Sequence, residues 1–78
     1  MIEREVLDFL KVHEAIKEII DRETKEGRCV TKEMVMEEKK IDEAEFARHM
    51  SFFLLHGYVK KFENDVYCRR KALERHLI

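Results

Sequence analysis

Apolar residues at Ile2, Val6, Phe9, Leu10, Ile16 and Ile20 recur at the spacing of one helix face. That periodicity predicts a helix from residue 2 to about residue 25. Glu3 and Glu5 suit the positive end of its dipole, and Arg22 and Lys25 suit the negative end. Gly27 stands just past the last turn, where a left-handed residue commonly stops a helix. Such a helix is about 35 Å long. Leu7, Val12 and Ile19 widen its apolar face beyond what one small core covers. His13 falls on the same stripe and is expected to be a core or boundary histidine rather than a ligand.

The pattern then shortens. Arg28-Cys29-Val30 offers a brief extended piece, and Thr31 is a good N-cap for a short helix over Lys32–Lys39 that buries Met34 and Val35. After a turn at Ile41, Asp42 with Glu45 three residues later forms a capping-box pattern that opens a third helix running to about His56. Phe46, Met50, Phe53 and Gly57 line one face of it. Gly57 breaks the helix, and Tyr58–Phe62 with Val66–Arg70 alternate as a hairpin turning at Asn64-Asp65. Lys71–Ile78 closes the chain as a short amphipathic helix presenting Leu73, Leu77 and Ile78.

Composition narrows the class. At 78 residues, with 45% hydrophobic and 42% charged side chains, the chain is sized for one small folded domain. No segment approaches the roughly 20 apolar residues of a membrane span, and the N-terminus has no signal-peptide apolar region, so a cytoplasmic location is expected. There is no Gln, a single Asn and a single Ser, while charge is abundant, the balance found in proteins adapted to heat. There is no Gly-rich phosphate loop, metal-ligand spacing or credible triad around Ser51, so neither an enzyme nor a cofactor is expected. The net charge of −1 hides an asymmetry: residues 1–57 carry −4 and residues 58–78 carry +3. Any attraction to phosphate is therefore local to the last third.

The order of elements resembles the winged helix-turn-helix superfamily, in particular its small stand-alone members in archaea and archaeal viruses. The resemblance rests on CVTKEMVMEEKKI for strand, second helix and turn, DEAEFARHMSFFLLHGYV for the third helix, and KKFENDVYCRR for the wing. The most specific part is MSFFLLHGYV, a helix ending in a glycine followed by an aromatic and a β-branched residue. One departure is the turn between the second and third helices, which often carries glycine but here reads Lys39-Lys40-Ile41. The expected fold class is mostly α with a small antiparallel hairpin. It is one domain over residues 1–78, with a core over about 12–70 and helical extensions at 1–11 and 71–78.

The resemblance implies a transcriptional regulator that binds duplex DNA as a homodimer, the third helix entering the major groove and the wing touching backbone. With Phe46, Met50 and Phe53 inward, steps of about 100° per residue put Arg48, Ser51, Phe52 and Leu55 outward, with Glu45 and His49 flanking. Arg48, His49 and Ser51 are the candidate groove contacts. Lys60, Lys61, Arg69, Arg70 and Lys71 are the candidate phosphate contacts, although cations on a hairpin also serve simply to block edge-to-edge pairing. Asp42, Glu43 and Glu45 oppose DNA, and Phe52 with Leu55 suggests a second reading, a protein-interaction module without DNA binding. In winged helices the strand before the second helix pairs with the wing. The resemblance therefore sets Cys29 beside Cys68, either as a disulfide or as two free thiols. The N- and C-terminal helices have more apolar surface than a monomer needs and are expected to form the dimer contact.

Overall fold

Three helices and three short strands follow one another along residues 2–70, the part of the chain described by this computed structural model, with side chains from Val6 onward. They are α1 (Ile2–Lys25), β1 (Val30–Thr31), α2 (Lys32–Lys39), α3 (Glu43–Leu55), β2 (Val59–Phe62) and β3 (Val66–Arg69). The helix expected over Lys71–Ile78 lies outside the described residues.

Each boundary has a local cause. Gly27 takes φ 75, and Arg28 N–H returns to the Glu23 carbonyl at 2.8 Å, closing α1. Thr31 ends β1 and at once caps α2, its hydroxyl accepting from Met34 N–H at 3.2 Å. The turn without glycine is made by Lys40 itself, in the left-handed region at φ 53 and ψ 49, with Ile41 N–H bonded to the Met36 carbonyl. Holding a lysine there costs on the order of 1 kcal/mol, which the packing on either side offsets. Asp42 caps α3 by accepting from Glu45 N–H at 2.8 Å. Gly57, at φ 70, turns the chain from α3 into β2. Asn64 and Asp65 turn the hairpin at φ 62 and 53, a region both residue types tolerate.

The strands form one antiparallel sheet in the order β1-β3-β2, so β3 is central. Tyr67 faces Val30 on one side and Lys61 on the other, and Cys68 faces Lys60. Ile16, Ile19 and Ile20 of α1, Val35 of α2, and Phe46, Met50 and Phe53 of α3 pack with Val30, Val59 and Tyr67 of the sheet into one core. Glu23 of α1 is buried, held by Arg28 at 2.8 Å and Arg22 at 3.2 Å. Arg22 reaches on to Glu38, tying α1 to α2 through two hydrogen bonds. The first half of α1 is different: Val6, Leu7 and Leu10 are all more than half exposed.

Cys29 and Cys68 are joined as a disulfide with Cα atoms 4.6 Å apart, which fastens the segment before β1 to the central strand. The bridge spans 39 residues in sequence, so in the chain-entropy view it stabilises by about 3–4 kcal/mol. Protein kept from reductants should show no alkylated thiol by mass. Reduction should lower Tm by roughly 12–30 °C. Two alkylated thiols in unreduced protein would refute the bridge.

Candidate nucleic-acid interface

The outward face of α3 follows from its inward one. Phe46, His49, Met50 and Phe53 are buried, which leaves Ala44, Ala47, Arg48, Ser51 and Leu55 exposed along the opposite side. Ala44, Ala47 and Ser51 are small, so the face is low along its first two turns, with Arg48 as its one long cation and Leu55 standing out at its end. Ser51 bonds back into its own helix, its hydroxyl donating to the Ala47 carbonyl at 2.8 Å.

His49 is not part of that face. It is only 2% exposed, its Nδ1 lying 2.9 Å from Nδ1 of His13. It is stacked on Phe9 with ring centroids 4.2 Å apart. The expectation that His49 flanks a DNA-reading surface is corrected by the passage of α1 across that side of α3. His13, expected at the core boundary, is half-buried and stacked 4.2 Å from Phe53.

The hairpin cations also separate. Lys60 is exposed, its ammonium 5.6 Å from the centre of the Phe62 ring. Lys61 is exposed and lies 3.4 Å from the Asp65 carboxylate. Arg69 turns inward: its guanidinium lies 3.6 Å over the Tyr58 ring, donates to the Tyr58 carbonyl at 3.0 Å and reaches Asp21 at 3.5 Å. Tyr58 in turn donates its hydroxyl to Asp21. Burial, and then this bond, push its phenol up to about 12, so it stays protonated at neutral pH. Arg69 is thus a fastener between hairpin and α1, which corrects its expected role as a phosphate contact. Arg70 is exposed at the end of β3, its backbone N–H also donating to the Tyr58 carbonyl. Lys71 lies outside the described residues.

One cation that the sequence did not single out joins this region. Lys32, the first residue of α2, contacts Glu43 of α3 at 2.7 Å and Asp65 of the hairpin at 3.5 Å. Nothing in its local pattern marks it, because the contact is made only when α2, α3 and the hairpin meet. These side chains line an open groove between α3 and the hairpin, floored by Ala44, Ala47 and Tyr67.

The C-terminal half of α3 itself carries a second, apolar surface. Phe52 is exposed but meets Phe9 edge-on at 5.7 Å, while Leu55 is 78% exposed. Among the described residues, α1 therefore covers Phe52 in part and leaves Leu55 open. No helix among the described residues is long and apolar enough to cross a membrane. In comparisons with known proteins, no family model, curated protein or solved structure matches this chain.

The buried imidazoles make stability depend on pH. Their mutual hydrogen bond needs one ring neutral to accept, and burial disfavours a charge on either. Desolvation, then the His13 and Arg48 charges, lower His49 to about 4. Desolvation also lowers His13, against the opposing pull of Glu14 and with a smaller push from His56. A depressed histidine leaves stability intact above the unfolded value of about 6.5. It loses stability as pH falls below that value, because only the unfolded chain takes the proton. The carboxylates that Arg and Lys hold low, Glu23, Glu38 and Asp65, contribute their own loss only at lower pH, below the ordinary carboxylate range. Urea midpoints should therefore fall between about pH 6.5 and pH 5 by the equivalent of about 2 kcal/mol. A His13→Phe, His49→Phe variant should lose that slope.

Proposed function

We propose that this chain is a winged helix-turn-helix protein that binds duplex DNA as a homodimer and regulates transcription. In this reading α2 and α3 form the helix-turn-helix, α3 enters the major groove and the β2–β3 hairpin is the wing on the backbone. The observation that carries it is the solvent face of α3. Ala44, Ala47 and Ser51 keep that face low enough to seat in a groove, Arg48 stands where a guanine edge is read, and Lys60 and Lys61 flank it on the hairpin. Order and pairing of the elements support the same reading, with a short strand ahead of α2 completing the hairpin's sheet. Asp42 is engaged as the α3 cap but keeps its charge, so with Glu43 and Glu45 it still opposes DNA.

The dimer places Val6, Leu7 and Leu10 of one α1 against the same residues of a second copy. A two-fold contact on that exposed stretch sets two α3 helices on one face, to address half-sites about 34 Å apart. The uncovered Leu55, with Phe52 beside it, favours the second reading, a protein-interaction module, and the same experiment separates the two.

Fluorescence anisotropy on a short mixed-sequence duplex should give an affinity that falls steeply with salt. With four phosphates engaged per dimer, the loss between about 50 and about 200 mM is on the order of 10²-fold. Arg48→Ala, Lys60→Ala and Lys61→Ala should each weaken binding and leave the fold intact. Absent or salt-independent binding overturns the DNA reading in favour of the interaction module. Light scattering at tens of micromolar should give twice the chain mass, and Leu10→Glu should halve it. A wild-type monomer would overturn the dimer.

A further inference from the structure

Asp65 does something a hairpin-tip acid need not do. Its two carboxylate oxygens face two different ammonium groups, Oδ2 that of Lys32 at 3.5 Å and Oδ1 that of Lys61 at 3.4 Å. Glu43 adds a third contact, 2.7 Å from the same Lys32 ammonium. The arrangement is built by the backbone. Asp65 sits in the left-handed region at the turn, and its carbonyl accepts from Lys32 N–H at 3.1 Å, so the hairpin tip is pinned to the start of α2. Glu43 stands in the first turn of α3, facing the same groove. The lysine charges thus converge from two elements, and each is met by a carboxylate from a third or from its own hairpin. These ion pairs hold the Lys32 ammonium and the Asp65 carboxylate in their charged forms.

We infer that Lys32 and Lys61 form a phosphate-backbone site between α3 and the hairpin, and that Asp65 and Glu43 are resident anions which a DNA phosphate displaces. The inference rests on the DNA reading above and adds a residue, Lys32, and a mechanism of restraint to it. A phosphodiester presents two anionic oxygens, as Asp65 does, so it satisfies both ammonium groups at once. The groove opens beside Ala44 and Ala47, the low face of α3, so a strand seated there passes next to the helix. Because the displaced carboxylates are exposed or half-exposed, they return to water on displacement, and the exchange is close to balanced. The site therefore favours binding only where other contacts hold the duplex in place. It disfavours loose attachment to phosphate alone, and this raises the ratio of specific to non-specific binding.

The test compares Glu43→Gln, Asp65→Asn protein with wild type on the same short mixed-sequence duplex at about 50 and about 200 mM salt. A control, Glu18→Gln, Glu37→Gln, makes the same change in net charge on exposed parts of α1 and α2. Both pairs are near-isosteric, and Asn tolerates the positive φ at position 65 at least as well as Asp. Circular dichroism should confirm the fold of each. The groove variant should bind about three- to ten-fold tighter than the control, with a salt slope steeper by about one to two. Adding Lys32→Ala should abolish the gain. Wild type that shows no binding overturns the DNA reading, and the inference with it, even where the groove variant binds. If wild type binds but the groove variant gains no more than the control, the inference is overturned and the DNA reading stands. If neither wild type nor any variant binds, both are overturned together.

Discussion

The central position of β3 is the constraint from which the remaining geometry follows. It hydrogen-bonds to β1 on one side and β2 on the other, and its Cys68 is bonded to Cys29. Its Tyr67 packs into the core against Phe46 of α3, with ring centroids 5.5 Å apart. A four-residue strand therefore fixes where α2 begins, how α3 lies over the sheet and where the hairpin tip ends. Were β3 to slip by one residue, Tyr67 would leave the core and Arg69 would lose its seat over Tyr58. The bridge to Cys29 opposes such a slip covalently.

Charge is arranged more evenly than the sequence asymmetry suggests. Of the cations on the hairpin and beside it, Arg69 is used by the fold, while Lys61 and Lys32 are met by carboxylates at close range. Arg48 and Lys60 are exposed on neighbouring elements. In the proposed reading, a surface with so little uncompensated positive charge selects only through shape and placement. The low face of α3 and the position of the hairpin beside it consequently matter more than total charge.

Much of this was legible in the chain itself. The α1 period, the Thr31 and Asp42 caps, the breaks at Gly27 and Gly57 and the turn at Asn64-Asp65 are all local features, and each element among the described residues lies within a residue or two of its expected place. The cysteine pair followed once strand β1 was set against the hairpin by resemblance. What failed to show were contacts that depend on which element lies on which side. A helical step places His49 on the flank of α3 but says nothing of α1 crossing there with Phe9. Strand alternation places Arg69 on a face without revealing that Tyr58, outside the strand, supplies a ring beneath it. Lys32 had no signal at all, because its two partners, Glu43 and Asp65, meet it only in the folded chain.

The disulfide also gives the molecule an unusual covalent outline. The chain from Cys29 to Cys68 is a closed ring that contains α2, α3 and the hairpin turn, and α1 leaves that ring as a tail. A single proteolytic cut anywhere within the ring opens it without releasing a fragment. The part that holds α2, α3 and the hairpin thus remains one covalent piece after a nick, and only reduction as well as cleavage separates it. Loss of α1 requires just one cut in the turn at Glu26-Gly27-Arg28. After such a cut α1 is held non-covalently, through Ile16, Ile19 and Ile20 in the core, whereas the ring stays covalently joined.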